Sequence, residues 1–178
     1  MKCFPFMKNI CGARCLLVGG GKVAAKKAKV LERFGVAISV CARETEPSLA
    51  GFRVCEEYSS ALLDKADFVI AATDDRALNA QVAADCRARR IPVNAVDDKE
   101  NCDFYFPALI ERGKVTVGIS TGGVSPALAA ALKRYIEKLL PENLDEIAEQ
   151  AEKLRGTQAY ADYISEIFAE TGESSDRG

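Results

Sequence analysis

Three consecutive glycines, Gly19-Gly20-Gly21, interrupt the chain between a short apolar run at 14–18 and a helical pattern at 22–34. A strand, a glycine turn and a helix in that order form a βα unit, and few folds begin that way. Within it, Gly19-x-Gly21-x-x-Ala24 keeps the spacing of the dinucleotide fingerprint, with alanine at the third small position. The first glycine permits a tight turn, the second lets backbone approach a pyrophosphate, and the third small residue lets the helix pack against its strand. Free N–H groups at the helix start, with the positive end of its dipole, suit a diphosphate. The fingerprint alone is weak, and its context between a strand and a helix, with a further strand at 36–41, strengthens it. The expected ligand class is NAD or NADP; the competing reading is a tight βα turn with no ligand.

The rest of the chain repeats the alternation. Strands are expected at 53–56, 68–72 and 91–96, a short helix at 61–65 and a longer one at 77–89. Val23, Val30, Leu31 and Phe34 are spaced as the buried stripe of the first helix, and Gly35 stands where a helix ends. Alternation at this spacing predicts an α/β, Rossmann-like doubly wound parallel sheet. Ligands on such sheets bind beyond the carboxyl ends of the strands. Gly19 to Gly21, Arg43 and Glu44, Thr73 to Asp75, Asp97 and Asp98 therefore merit attention. Glu44 suits the ribose hydroxyls of NAD, whereas neighbouring Arg43 suits the 2′-phosphate of NADP; NAD is the expectation. Lys22, Lys26, Lys27, Lys29 and Arg33 crowd the first helix and read as a solvated face.

After Gly113 the pattern changes. Residues 114–120 alternate as a strand, Thr121-Gly122-Gly123 turns the chain, and Ser125-Pro126 supplies an N-cap and N1 proline for a helix at 127–140. Two amphipathic helices, at 144–154 and 159–170, precede a polar tail at 172–178 that reads as frayed. The expected organisation is an NAD-binding domain at 1–112, a small dimerisation region at 113–141 and a helical C-terminal region at 142–178.

Composition excludes several chemistries. The 178 residues contain no histidine, so neither a Ser-His-Asp relay nor histidine metal ligation is available. Any general base is Asp, Glu, Lys, Tyr or Cys. Seven cysteines form no CxxC pair, which argues against zinc, and several lie in apolar runs where a thiol acts as a small hydrophobe. No resident metal is expected. With 24 Lys+Arg against 26 Asp+Glu, the chain has no global attraction for nucleic acid. No apolar run is long enough for a membrane span and no signal-peptide core opens the sequence, so a cytoplasmic protein is expected.

Several stretches together resemble one family. They are Val18-Gly-Gly-Gly-Lys-Val-Ala24, Ala71-Ala-Thr-Asp-Asp-Arg-Ala-Leu-Asn79, Val93-Asn-Ala-Val-Asp97, Cys102-Asp-Phe-Tyr-Phe-Pro-Ala108 and Gly118-Ile-Ser-Thr-Gly-Gly-Val-Ser-Pro126. Over roughly residues 4–156 the chain is similar to precorrin-2 dehydrogenase, the dehydrogenase/ferrochelatase module of siroheme synthase. The resemblance implies NAD-dependent oxidation of precorrin-2 to sirohydrochlorin, with Fe²⁺ insertion to siroheme in bifunctional members, and an intertwined homodimer. By motif match, Lys22, Val23, Arg43 and Glu44 fall at the cofactor, and Thr73 in the adjacent strand-end loop. Asp97 matches the family's functional aspartate. Many relatives carry an Ala-Pro or Ser-Pro pair where this chain has Ala42-Arg43. The methyltransferase domain of fused members has no counterpart here, so synthesis of precorrin-2 itself is not expected.

Precorrin-2 carries eight carboxylates. Backbone N–H groups and hydroxyls of Ser120, Thr121, Gly122, Gly123 and Ser125 are candidates for binding them, with Lys133 and Arg134 as added charge or as a solvent-facing pattern. Asn94 is a candidate for orienting Asp97 or the substrate, or for satisfying a strand end. Asp97 is the candidate proton acceptor; alternatively Asp97 or Asp98 caps a turn. Two other readings remain. A short-chain dehydrogenase would need Tyr-x-x-x-Lys, and Tyr135-Ile-Glu-Lys138 has the wrong spacing. A non-enzymatic NAD-sensing module would need the glycine loop and acidic strand end but neither Asn94 and Asp97 nor the 120–126 turn.

Overall fold

The computed structural model describes residues 4–169, which fall into two compact units, Met7–Tyr105 and a second one running from Phe106 onward with the N-terminal segment. The expected frayed tail at 172–178 lies outside the described residues.

The first unit is a five-stranded parallel sheet in the order β3-β2-β1-β4-β5. Its elements run β1 (Arg14–Val18), α1 (Lys22–Arg33), β2 (Ala37–Cys41), β3 (Arg53–Cys55), β4 (Phe68–Ala71), α2 (Arg76–Arg89) and β5 (Val93–Ala95). Two 3-10 turns, Pro47–Phe52 and Ser60–Lys65, precede β3 and β4. The central strands are apolar on both faces, as sheets covered on both sides require. Leu17, Val40, Val69 and Ile70 are fully buried. The register runs Leu17↔Val40 on one side of β1 and Leu17↔Ile70 on the other. The chain enters β2 from one edge of β1 and β4 from the other, so the loops after β1 and β4 part at the carboxyl edge. That is where this topology opens a crevice.

The expected doubly wound sheet is present, with differences of detail. The buried stripe of α1 is Ala24, Ala28 and Leu31, while Val23 is 47% exposed. Ala24, Ala28 and Leu31 recur at spacings of four and three and so share one helix face, from which Val23 is rotated away. Buried Cys15, Cys41 and Cys86 behave as small hydrophobes; burial pushes each thiol up to about 12, so they stay protonated.

In the second unit β6 (Ala108–Arg112) and β7 (Val115–Ile119) form an antiparallel hairpin through Gly113-Lys114. The sequence reading sees only the second of these strands and ends the first domain after residue 112. Pairing of Ala108 with Ile119 through Arg112 with Val115 keeps the hairpin whole, within the compact unit that begins at Phe106. Helices α3 (Pro126–Leu139), α4 (Leu144–Leu154) and α5 (Ala159–Ala169) follow. Ile110, Ile119, Ala129, Leu144 and Ile147 are the buried residues of this unit. Ser125 Oγ accepts the Leu128 N–H at 3.1 Å ahead of Pro126, as the N-cap reading requires. Among the described residues no helix is long and apolar enough to cross a membrane.

Candidate functional site

At the carboxyl edge of the sheet a cleft of about 780 Å³ is lined by the loops after β1, β2 and β4. Gly19, Gly20 and Gly21 form its floor, Arg43 to Pro47 one wall, and Ala72 to Asp75 the other. Gly19 has φ +118, and a side chain there would meet the Ala72 carbonyl oxygen at 2.3 Å. Gly20 is excluded from bearing a side chain by distance instead, since a Cβ would stand 2.0 Å from the Glu44 carbonyl oxygen. The turn is held by backbone bonds: Gly19 N–H to Cys41 O at 2.9 Å, Glu46 N–H to Gly20 O at 2.8 Å, and Ala72 N–H to Val18 O at 2.7 Å.

Gly21 is the exception. A Cβ there would find no atom within 4 Å, so its open side faces free space. Gly21 is also the N-cap of α1, with no side-chain cap and no acidic residue in the first turn. A bare backbone cradle before an uncapped helix start fits the diphosphate of a dinucleotide, which needs close backbone approach and unpaired N–H donors. Lys22 and Val23 form the first helical turn beyond the cradle and are exposed.

The opposite wall is fixed by a residue absent from the expected site. Asn79 of α2 is 4% exposed. Its Oδ1 accepts from Thr73 N–H (3.2 Å) and Thr73 Oγ1 (2.7 Å), while its Nδ2 donates to Thr73 O (2.9 Å). Asp75 caps α2 by accepting from Ala77 and Leu78 N–H. Thr73 therefore stands on a loop pinned at both ends. The signal was the Thr73-to-Asn79 stretch itself, whose spacing brings the amide one helical turn back onto the loop. On the wall after β2, Arg43 pairs with Glu57 at 3.0 Å, and Arg53 donates to Arg43 O at 3.1 Å. Glu44, Glu46, Glu56 and Glu57 make this rim strongly acidic.

Asp97 lies just beyond β5 on the same carboxyl edge and is exposed. Its φ of 59° is a left-handed conformation, which aspartate tolerates better than most residues. It makes no hydrogen bond or ion pair among the described residues. Asp98 is the turn-capping residue, accepting from Asn101 N–H at 3.3 Å and Asn101 Nδ2 at 2.6 Å.

Asn94 and Lys27 are bonded to each other. Asn94 is 5% exposed and has both ends of its amide engaged. Its Oδ1 accepts from Lys27 Nζ at 2.9 Å, and its Nδ2 donates to Phe104 O at 2.8 Å. It is an internal link rather than a surface that a substrate touches. Lys27, read from the sequence as part of a solvated face, turns inward, while Lys22, Lys26 and Lys29 are exposed. Burial lowers the Lys27 ammonium below the usual lysine range, opposed by the charges of Cys102 and Asp97. The Lys27 ammonium and the Asp97 carboxylate attract each other.

The structure thus brings Gly19, Gly21, Arg43, Glu44 and Thr73 together in one cleft, with Asp97 on the same sheet edge. Ser120, Thr121, Gly122, Gly123 and Ser125 belong to the other unit. There Thr121 Oγ1 accepts the Ser125 N–H at 3.2 Å and donates to Ser125 O at 3.0 Å, closing the turn.

Comparison with known proteins places the cleft in a class. The family whose model is described as "Putative NAD(P)-binding" matches residues 6–108, and the "Sirohaem biosynthesis protein central" family matches residues 112–139. The chain belongs to this NAD(P)-binding family. Among its relatives, a siroheme synthase of Psychrobacter sp. (strain PRwf-1) is 39% identical over 162 residues, 87% of this chain and 33% of that protein. The siroheme synthase of Pseudomonas fluorescens (strain Pf0-1) is 38% identical over 87% of this chain and 35% of its own length. The chain thus spans about a third of these relatives and corresponds to one module of siroheme synthase, as the motifs implied. The solved structure of SirC, precorrin-2 dehydrogenase, has the same fold, with a TM-score of 0.71 and 24% identity over 86% of this chain and 79% of that one.

Two substitutions test this geometry. Gly20→Ala is expected to lower stability by about 1–3 kcal/mol in denaturant unfolding, since backbone must move, and to weaken dinucleotide binding at least tenfold by calorimetry; wild-type values would show that the close approach to Glu44 is not required. Lys27→Met leaves the buried Asn94 carbonyl without its donor, so unfolding should cost about 1–3 kcal/mol less, while dinucleotide affinity, read by the same titration, stays within about twofold.

Proposed function

We propose that the chain oxidises precorrin-2 to sirohydrochlorin with NAD in siroheme biosynthesis. The observation that carries this reading is the uncommitted Asp97 carboxylate, held on the sheet edge that bears the dinucleotide cleft. NAD, when bound, accepts the hydride that leaves the reduced macrocycle. The protein's part is to orient the two reactants and to receive a proton.

Residues of the glycine turn and the uncapped start of α1 hold the diphosphate, and Asn79 keeps the Thr73 wall in place. Glu44 is placed to accept from ribose hydroxyls. Of the four rim glutamates, Glu56 and Glu57 are paired with Arg53 and Arg43, and the charges of Glu44 and Glu46 remain to repel a 2′-phosphate, which supports NAD over NADP. Asp97 receives the proton released with the hydride. The hydroxyls of Ser120 and Ser125, which accept from the Gly122 and Leu128 N–H groups, each keep an O–H to donate to a substrate carboxylate.

The same carboxylate supports a second reaction, Fe²⁺ insertion into sirohydrochlorin. The ion enters as substrate, the macrocycle supplies four nitrogens, and the exposed Asp97 carboxylate takes the two displaced protons one at a time and passes each to water. The chain acts as a cytoplasmic homodimer. Leu128, Leu132, Tyr135 and Leu139 are exposed along α3 at spacings of four, three and four, the apolar stripe of a helix that packs against a partner.

Anaerobic mixing of protein, NAD and precorrin-2 should develop the sirohydrochlorin spectrum. Asp97→Ala should slow it by about 10²- to 10⁴-fold while NAD affinity is retained. Binding of NAD with no spectral change would favour a dinucleotide-sensing module, and unchanged turnover in the variant would remove Asp97 from the mechanism. Fe²⁺ uptake no faster than the protein-free rate would remove the second reaction.

A further inference from the structure

Beside Asp97, on the side of α2, lies a small pocket of about 150 Å³ lined by Arg76, Asn79, Val96, Asp97 and Asp98. It shares no lining residue with the dinucleotide cleft, so both can be filled at once. At about 30 Å³ per water it holds roughly five waters, too little for a macrocycle and enough for one side arm.

The polar groups of this pocket differ in how far they are already spent. Asn79 holds the Thr73 loop with both ends of its amide. Both oxygens of Asp98 are taken by Asn101. Arg76 and Asp97 make no hydrogen bond or ion pair among the described residues, and they are not paired with each other. Each is anchored on its own element. Arg76 opens α2 directly after the Asp75 cap, and Asp97 stands on its left-handed turn after β5.

The charges are therefore arranged with direction. A cation stands on the α2 side and two carboxylates on the β5 side. An arm bearing a carboxylate enters such a pocket with its charge at Arg76 and away from Asp97 and Asp98. The guanidinium fork matches a carboxylate with two parallel N–H donors, and the start of α2 adds the positive end of its dipole.

We propose that this pocket is a carboxylate subsite, in which Arg76 takes an acetate or propionate arm of the tetrapyrrole and so sets which ring carbon stands at Asp97. The inference rests on the reading of the substrate as a polycarboxylate tetrapyrrole. Arg76 is then a specificity residue, and its loss costs substrate recognition rather than cofactor binding.

The test is steady-state turnover of precorrin-2 with NAD by Arg76→Ala and Arg76→Lys, joined to fluorescence titration with uroporphyrin, an octacarboxylate macrocycle that is not turned over. Arg76→Ala should lower kcat/KM for precorrin-2 about ten- to a hundredfold and weaken uroporphyrin binding to match. KM for NAD and the melting temperature should not move, because the side chain is exposed and unbonded. Arg76→Lys should recover part of the loss, as a point charge without the fork. An active wild type with an indifferent Arg76→Ala variant overturns the subsite alone. A wild type that neither oxidises precorrin-2 nor binds uroporphyrin overturns the subsite together with the substrate reading.

Discussion

Everything at the functional edge of this protein depends on two glycine backbones pressed against neighbouring carbonyls. Gly19 passes the Ala72 carbonyl of the loop after β4, and Gly20 passes the Glu44 carbonyl of the loop after β2. Neither gap admits a methyl group. The contacts bring three loops from three strands within reach of one another, and the bonds from Gly19, Glu46 and Ala72 N–H hold them there. The cleft, its acidic rim and the pinned Thr73 wall all follow from that approach. Gly21 is left as the one glycine of the three with open space beside it, where a diphosphate needs backbone and no side chain.

A second constraint organises the β5 side. Buried polar groups must be paired, and the buried Asn94 satisfies this by joining α1 to β5 through Lys27 and to the following segment through Phe104. Cys102 adds thiol contacts to the Ala95 and Asp98 carbonyls. The loop carrying Asp97 is thus tied on both flanks while its carboxylate is left uncommitted. Such a division suits a residue that must move a proton: the scaffold is spent on holding the turn, and the acid itself on nothing.

Much of this was legible in the sequence. The alternation of apolar runs and helical patterns gives the doubly wound sheet, and Gly19, Gly21 and Ala24 keep the fingerprint spacing. Gly20 occupies a variable position of that fingerprint, so its role appears only once β2 is seen to return beside the turn. Lys27 is indistinguishable from its charged neighbours in sequence, because what turns it inward is Asn94, 67 positions away on β5. Val23 was expected inside on hydrophobicity, yet the buried face of α1 is the one that carries Ala24, Ala28 and Leu31, one position round the helix. The first strand of the hairpin escaped notice because Ala108–Arg112 mixes charged and apolar residues, and its identity comes from pairing with Val115–Ile119. Of the site, the glycine turn was readable from local pattern, while Asp97 was singled out by its place after a strand together with the family resemblance. Asn79 and Arg76 were not, since their roles are set by the pockets they border.

The most direct measurement is calorimetric titration of the protein with NAD and, separately, with NADP. The glycine cradle and the rim carboxylates of Glu44 and Glu46 predict one NAD per chain, with NADP bound at least about tenfold more weakly, the scale of one charged contact. No binding of either dinucleotide, or tighter binding of NADP, would contradict the account.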